Sequence, residues 1–232
     1  MRRMSMNPAF VRALSIGITL LAASAWAGGV TGVVDVEDYK GQPEGDLESP
    51  VVVYITNLKA AIPDKLLREK YVMATRDKQF RPQVMVIPVG ATVYFPNQDP
   101  IIHNVFSVSG DNKFDAGRFG ENEGASHTFP SPGLARIYCN VHHQMNAILL
   151  INDNPYFTYA DKDGRFTITG LPDGDYTVAA LHRLSKPVEQ EIRIRNNQTV
   201  TVEISLSLGK KRVLKHLNKF GKPYPRTRVK RY

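Results

Sequence analysis

The stretch YCNVHHQMNAILL, residues 138–150, holds the only cysteine of the chain, followed within six positions by two histidines and a methionine. Outward from the cysteine the pattern is that of strands. Ala135, Ile137 and Cys139 fall on one face and Arg136 and Tyr138 on the other, the period of two that marks a half-buried strand. Cys139 therefore closes a strand with its thiol directed inward. Residues 148–151 are wholly apolar and resume a strand, so residues 140–147 form a short loop anchored at both ends by a sheet.

That loop carries soft and borderline metal donors. A thiolate, two imidazoles and a weak thioether are the donor set of a type 1 copper centre, His₂Cys in a trigonal plane with a long axial Met. Cys139, His142 and Met145 supply three of these at three-residue spacing. The fourth lies upstream in FPNQDPIIHNVF, residues 95–106, where Pro96, Asn97, Asp99 and Pro100 make a turn-rich segment that presents His103 at its end. Asn104 is placed to tie this segment to the cysteine loop by side-chain hydrogen bonds, supporting the ligands from outside. A buried structural thiol is the plain alternative for Cys139. Closed zinc sites use several Cys or His without a thioether, and a cysteine nucleophile would need an orienting third group that is not evident. His143, next to His142, is a second candidate imidazole.

The rest of the chain is also strand-rich. Residues 51–55, 84–87 and 91–95 are short apolar strands, and residues 60–70 are the main helical candidate, kept short by Pro63. From about residue 155 the turns in DKDGRF and LPDGDYTV feed alternating strands, ending in QTVTVEISLSL, which reads as a small independent β-sandwich. Residues 28–58 are placed with the central segment. Arg2, Arg3 and Arg12 around the apolar run 13–23, with the small-residue end Ala25-Trp26-Ala27, read as an export signal cleaved after Ala27. An oxidising compartment makes a lone thiol a liability unless something occupies it.

The formal charge of +8 is unevenly spread. Residues 209–232 carry ten Lys or Arg and no acid, and the export segment carries three Arg, which leaves 17 basic against 22 acidic residues in the body. The body is mildly acidic, so overall charge does not imply nucleic-acid binding. The tail is suited to an anionic membrane surface or an acidic partner. His127, His182 and His216 are isolated and read as satisfied or solvent-facing.

NQDPIIHNV and YCNVHHQM together resemble the cupredoxins over about residues 80–151, with a ligand loop similar to that of amicyanin. The segment after 151 resembles a carboxypeptidase regulatory-like, or prealbumin-like, domain. The resemblance implies an all-β chain: a signal peptide at 1–27, a cupredoxin Greek-key sandwich at 28–152, a second sandwich at 153–208 and a basic tail at 209–232. It implies one copper ion on His103, Cys139, His142 and Met145, and single-electron transfer in the periplasm with a partner such as a cytochrome or a dehydrogenase. Residue 143 departs from the family, which often has Pro there. With a type 1 site alone the chain is expected to be a carrier and not an enzyme, with copper storage or delivery as the alternative. Ile101, Ile102 and Ala147 are expected to surround the exposed edge of His142.

Overall fold

The computed structural model describes residues 28–44, 49–209, 218–220 and 222–223. The expected export signal at 1–27, His216 and most of the basic tail lie outside the described residues. Among the described residues no helix is long and apolar enough to cross a membrane.

The first sandwich spans the middle of the chain. After the single-turn helix α1 (Asp64–Leu67), which begins directly behind Pro63, come β3 (Tyr71–Val72), the hairpin β4 (Ala74–Arg76) and β5 (Gln79–Arg81), β6 (Val84–Pro88) and β7 (Thr92–Pro96). Then follow β8 (His103–Ser107), β9 (Phe114–Phe119), β10 (Gly124–Thr128), β11 (Gly133–Tyr138) and β12 (Asn146–Asn152). A five-stranded sheet in the order β6-β12-β11-β8-β9 faces a three-stranded sheet β10-β7-β3. Between them lies a core that includes Phe95, Val105, Phe129, Ile137, Leu149 and Cys139.

The second sandwich corrects the expected division of the chain. Its C-terminal strands are β13 (Phe157–Tyr159), β14 (Arg165–Leu171), β15 (Gly174–Leu181), β16 (Val188–Ile194) and β17 (Thr199–Ser207). They do not form sheets by themselves. β1 (Gly28–Glu37) lies between β14 and β17, antiparallel to the first and parallel to the second, and β2 (Val52–Ile55) lies between β13 and β15. Residues 28–58, expected in the central unit, therefore complete the C-terminal one, and the central sandwich sits between the two parts. The reason is local as well as global. Gly32 lets β1 approach so closely that a Cβ there would overlap the Val202 carbonyl.

Strand parity explains how the sandwiches join. In β12, Ala147, Leu149 and Ile151 point into the first core, while Ile148 and Leu150 point out of it. In β6, Met85 and Ile87 face the same core, and Val84 and Val86 face away. The outward set meets Val52 and Tyr54 of β2 and Ala179 and Leu181 of β15, whose intervening residues Val53, Ile55, Val178 and Ala180 enter the second core. Four sheets thus stack with three apolar layers. The uninterrupted apolar runs at 51–55, 84–87 and 148–151 mark the strands covered on both faces, where alternation with polar residues has no place.

Two of the isolated histidines are structural. His182 is buried, accepting the Leu184 amide at Nδ1 and bonding Ser49 Oγ through Nε2 at 2.8 Å. His127 stacks on Phe114 at 4.1 Å between ring centroids. Burial holds its pKa below the ordinary 6.5. The unfolded chain therefore takes up this proton at higher pH than the folded chain does, so the stability His127 confers is present above about pH 6.5 and is lost as pH falls through its folded value. NMR titration should find the His127 midpoint below 6.5, and His127→Gln should flatten the fall in urea midpoint between pH 7 and 5. A midpoint at or above 6.5 would contradict this account.

Candidate metal centre

Sheet register brings the donors to one end of the first sandwich. β8 and β11 run antiparallel with Tyr138 opposite Phe106, so the start of β8, at His103, and the end of β11, before Cys139, lie side by side. The loop that follows turns back on itself. Met145 N–H donates to the His142 carbonyl at 3.0 Å, and Cys139 N–H donates to the Met145 carbonyl at 3.4 Å. His142 N–H points at Cys139 Sγ, 3.4 Å away, an orientation that stabilises a thiolate. Met145 is 1% exposed and packs in the same core as Cys139.

His103 Nδ1, His142 Nδ1 and Cys139 Sγ face one another, the nitrogens 3.2 Å apart and the sulfur 3.7 Å and 4.0 Å from them. Protein ligand bonds of about 2.1 Å to nitrogen and 2.3 Å to sulfur can all be satisfied by one ion in this triangle. The donor set and its spacing therefore fit a trigonal His₂Cys centre. His143 is exposed and is not one of the clustered donors.

His103 is held by a residue whose part the sequence reading did not identify. Its Nε2 lies 2.8 Å from Asp99 Oδ2. Burial pushes the Asp99 carboxyl up, but hydrogen bonds from the Lys78 amide, from His103 and from the Asp77 amide outweigh it and hold the group below its ordinary value. An ionised carboxylate can only accept, so His103 carries its proton on Nε2 and keeps the Nδ1 lone pair for a metal. Asp77 and Lys78 both have positive φ, at 55° and 54°, in the two-residue turn between β4 and β5. That conformation aims both amides at Asp99, at 2.7 Å and 3.0 Å. Asn97 secures the loop from within. Its Oδ1 accepts from the Asp99 amide and from Thr75 Oγ1, and its Nδ2 donates to the carbonyls of Ile101 and Phe119. The weak signal for Asp99 in the sequence is an acid four residues before a ligand histidine.

His142 is the partly exposed member of the triangle. Burial, followed by the charges of His103 and Lys78, lowers its pKa from 6.5, which keeps the imidazole neutral at pH 7 and its lone pair available. Of the apolar residues expected around it, Ile102 is exposed, whereas Ala147 is buried in the first core because it shares parity with Leu149 and Ile151. Val141 is the exposed apolar residue on the loop itself. Asn104 also departs from expectation. Its amide donates to Asp115 Oδ1 and to the Gly117 carbonyl on β9, and not to the cysteine loop.

No family model matches the chain, and no curated protein matches it. Solved structures do. The purple cupredoxin from Nitrosopumilus maritimus matches at 21% identity over 36% of this chain and 100% of its own, with a TM-score of 0.33. A Cu(I) variant of amicyanin matches at 17% identity over 43% of this chain and 98% of its own, with a TM-score of 0.35. The Cu-containing nitrite reductase from Thermus scotoductus matches at 25% identity and a TM-score of 0.35, over 43% of this chain but only 25% of its own. What stands plainly is an all-β chain of two stacked sandwiches, the first with a His-Cys-His cluster at its end.

Proposed function

We propose that this protein is a cupredoxin-type electron carrier. His103, Cys139, His142 and Met145 would hold one copper ion, with which the chain would exchange single electrons with redox proteins after export to the periplasm. The observation that carries this reading is the triangle of 3.2, 3.7 and 4.0 Å between one thiol and two imidazole nitrogens. A single thiol with a thioether nearby favours copper over a closed zinc site.

Copper bound there supplies a couple between Cu(II) and Cu(I). The chain does the rest. Asp99 fixes the His103 tautomer, and the loop hydrogen bonds fix the distance between residues 139 and 145, so the donors need not move when charge changes. Cys139 and His103 are 0% exposed, which keeps water from these two donors. The exposed edge of His142, beside Val141, is the route for an electron to a cytochrome or a periplasmic dehydrogenase, through a small and quickly dissociating contact. The second sandwich, carboxypeptidase regulatory-like by resemblance, serves as a frame for the first. Residues 1–27 act as the export signal, which N-terminal sequencing of exported protein checks.

The test is a visible spectrum of the oxidised, copper-loaded protein beside Cys139→Ser. An intense band near ~600 nm, lost completely in the variant, is expected from a thiolate-to-copper bond. A colourless protein that still binds Cu(I) would sink the carrier reading and leave storage or delivery.

A further inference from the structure

Lys219, in the basic C-terminal segment, reaches back to the ligand-bearing elements. Its Nζ lies 2.6 Å from Asp115 Oδ2, and its backbone N–H donates to Asn140 Oδ1 at 3.4 Å. Asp115 Oδ1 in turn accepts from Asn104 Nδ2 at 2.7 Å. Asn104 follows His103 and Asn140 follows Cys139, so one lysine touches the neighbour of one donor directly and that of the other through Asp115.

The contact is built and not incidental. Asn218 Oδ1 accepts the amides of Phe220 and Lys222, each at 3.0 Å, and Asn218 N–H donates to the Lys222 carbonyl, which closes a turn with Lys219 on it. The Lys219 and Asp115 side chains are 24% and 37% exposed. They are better shielded than the surface pairs that contribute little to a fold. Burial pushes Asp115 up, and hydrogen bonds from Lys219, Asn104 and the Gly117 amide more than offset it, so the carboxylate stays ionised.

We propose that residues 218–220 and 222 are a latch across the metal centre, in which Lys219 is a positioning residue that ties Asn104, through Asp115, to Asn140 and so holds His103 and Cys139 at their spacing. The proposal rests on reading these residues as a metal centre. It assigns the basic segment a task within its own molecule. It also accounts for Asn104, which braces the site through β9 and the tail and not through the cysteine loop.

The experiment uses the full mature chain and the variants Lys219→Met, Asp115→Asn, their double variant, and Lys222→Met. In the apo protein, Lys219→Met should shift the NMR resonances of the Asn104 side-chain amide and the Asn140 backbone amide. In the copper-loaded protein it should speed copper loss to a chelator by about 3- to 10-fold, less than loss of a direct ligand partner would. Asp115→Asn should match it, and the double variant should be no faster than either single one, because both remove the same pair. Lys222→Met, which removes an equal charge from the same turn, should leave both readouts at parent values. Equal resonances and release rates in parent and Lys219→Met would overturn the latch, as would an equal effect of Lys222→Met. A parent that binds no copper sinks the reading of the centre instead, and the apo resonances then decide the latch alone.

Discussion

A polypeptide of residues 153–208 alone will be unfolded in water, although its sequence reads as a self-contained sandwich. β1 occupies the middle of one sheet and β2 a central place in the other. Without them β14 and β17 have no common partner, and β13 is cut off from β15. The second core would also lose Val30, Val34, Val51, Val53 and Ile55. At about 1.5–3 kcal/mol for each fully buried aliphatic side chain, that loss is on the order of 10 kcal/mol, comparable to the 5–15 kcal/mol that holds a whole domain together. Circular dichroism of 153–208 should lack a cooperative melting transition. Linking residues 28–58 directly to 153–208 should restore one, because every strand of both sheets is then present. A cooperative transition in the short piece would refute the shared-sheet account.

This case shows which parts of the molecule the sequence makes legible. Period-two alternation identified β14 and β17, which each have one wet face, and β11, whose second face carries the part-exposed Leu134 and Arg136, because the side-chain pattern is local. The cluster of residues 103, 139 and 142 was readable for a chemical reason, since few purposes other than a metal bring a thiol and imidazoles so close. Partnership was not readable. β1 and β17 are joined by backbone hydrogen bonds between residues about 170 positions apart, and a strand's own pattern does not name its neighbour. Nor did the uninterrupted runs at 84–87 and 148–151 say that a second sandwich covers them. Ala147 could have been placed correctly, because alternation puts it on the same face as Leu149. Asp99 and Lys219 could not, since their parts depend on a turn at 77–78 and on a tail that lies 80 residues beyond Cys139.

Asp99→Asn should weaken copper binding by about 10- to 100-fold, while the fold survives. The substitution keeps the shape and exchanges one acceptor oxygen for an NH₂ donor. In the parent, Asp99 accepts from three N–H groups, those of Asp77, Lys78 and His103. An amide cannot serve all three. With its oxygen on the Asp77 amide its NH₂ replaces Oδ2 and faces His103 Nε2 as well as the Lys78 amide, and the imidazole relieves its part of the clash by giving up its proton and accepting. The imidazole proton moves to Nδ1, the atom that faces Cys139 and His142, and the lone pair meant for a metal is blocked. A second effect follows from charge. Removing a unit negative charge about 6–7 Å from the ion, at an effective dielectric near 20, destabilises Cu(II) relative to Cu(I) by about 2.5 kcal/mol, or roughly 100 mV upward in reduction potential. Because Asp99 is held below its ordinary 3.8 and stays ionised, both differences from the parent should persist unchanged from pH 5.5 to 8. Chelator competition measures the first and protein-film voltammetry the second. An affinity within about twofold of the parent together with an unmoved potential would mean that His103 does not ligate through Nδ1, and the triangle of donors would have to be read again.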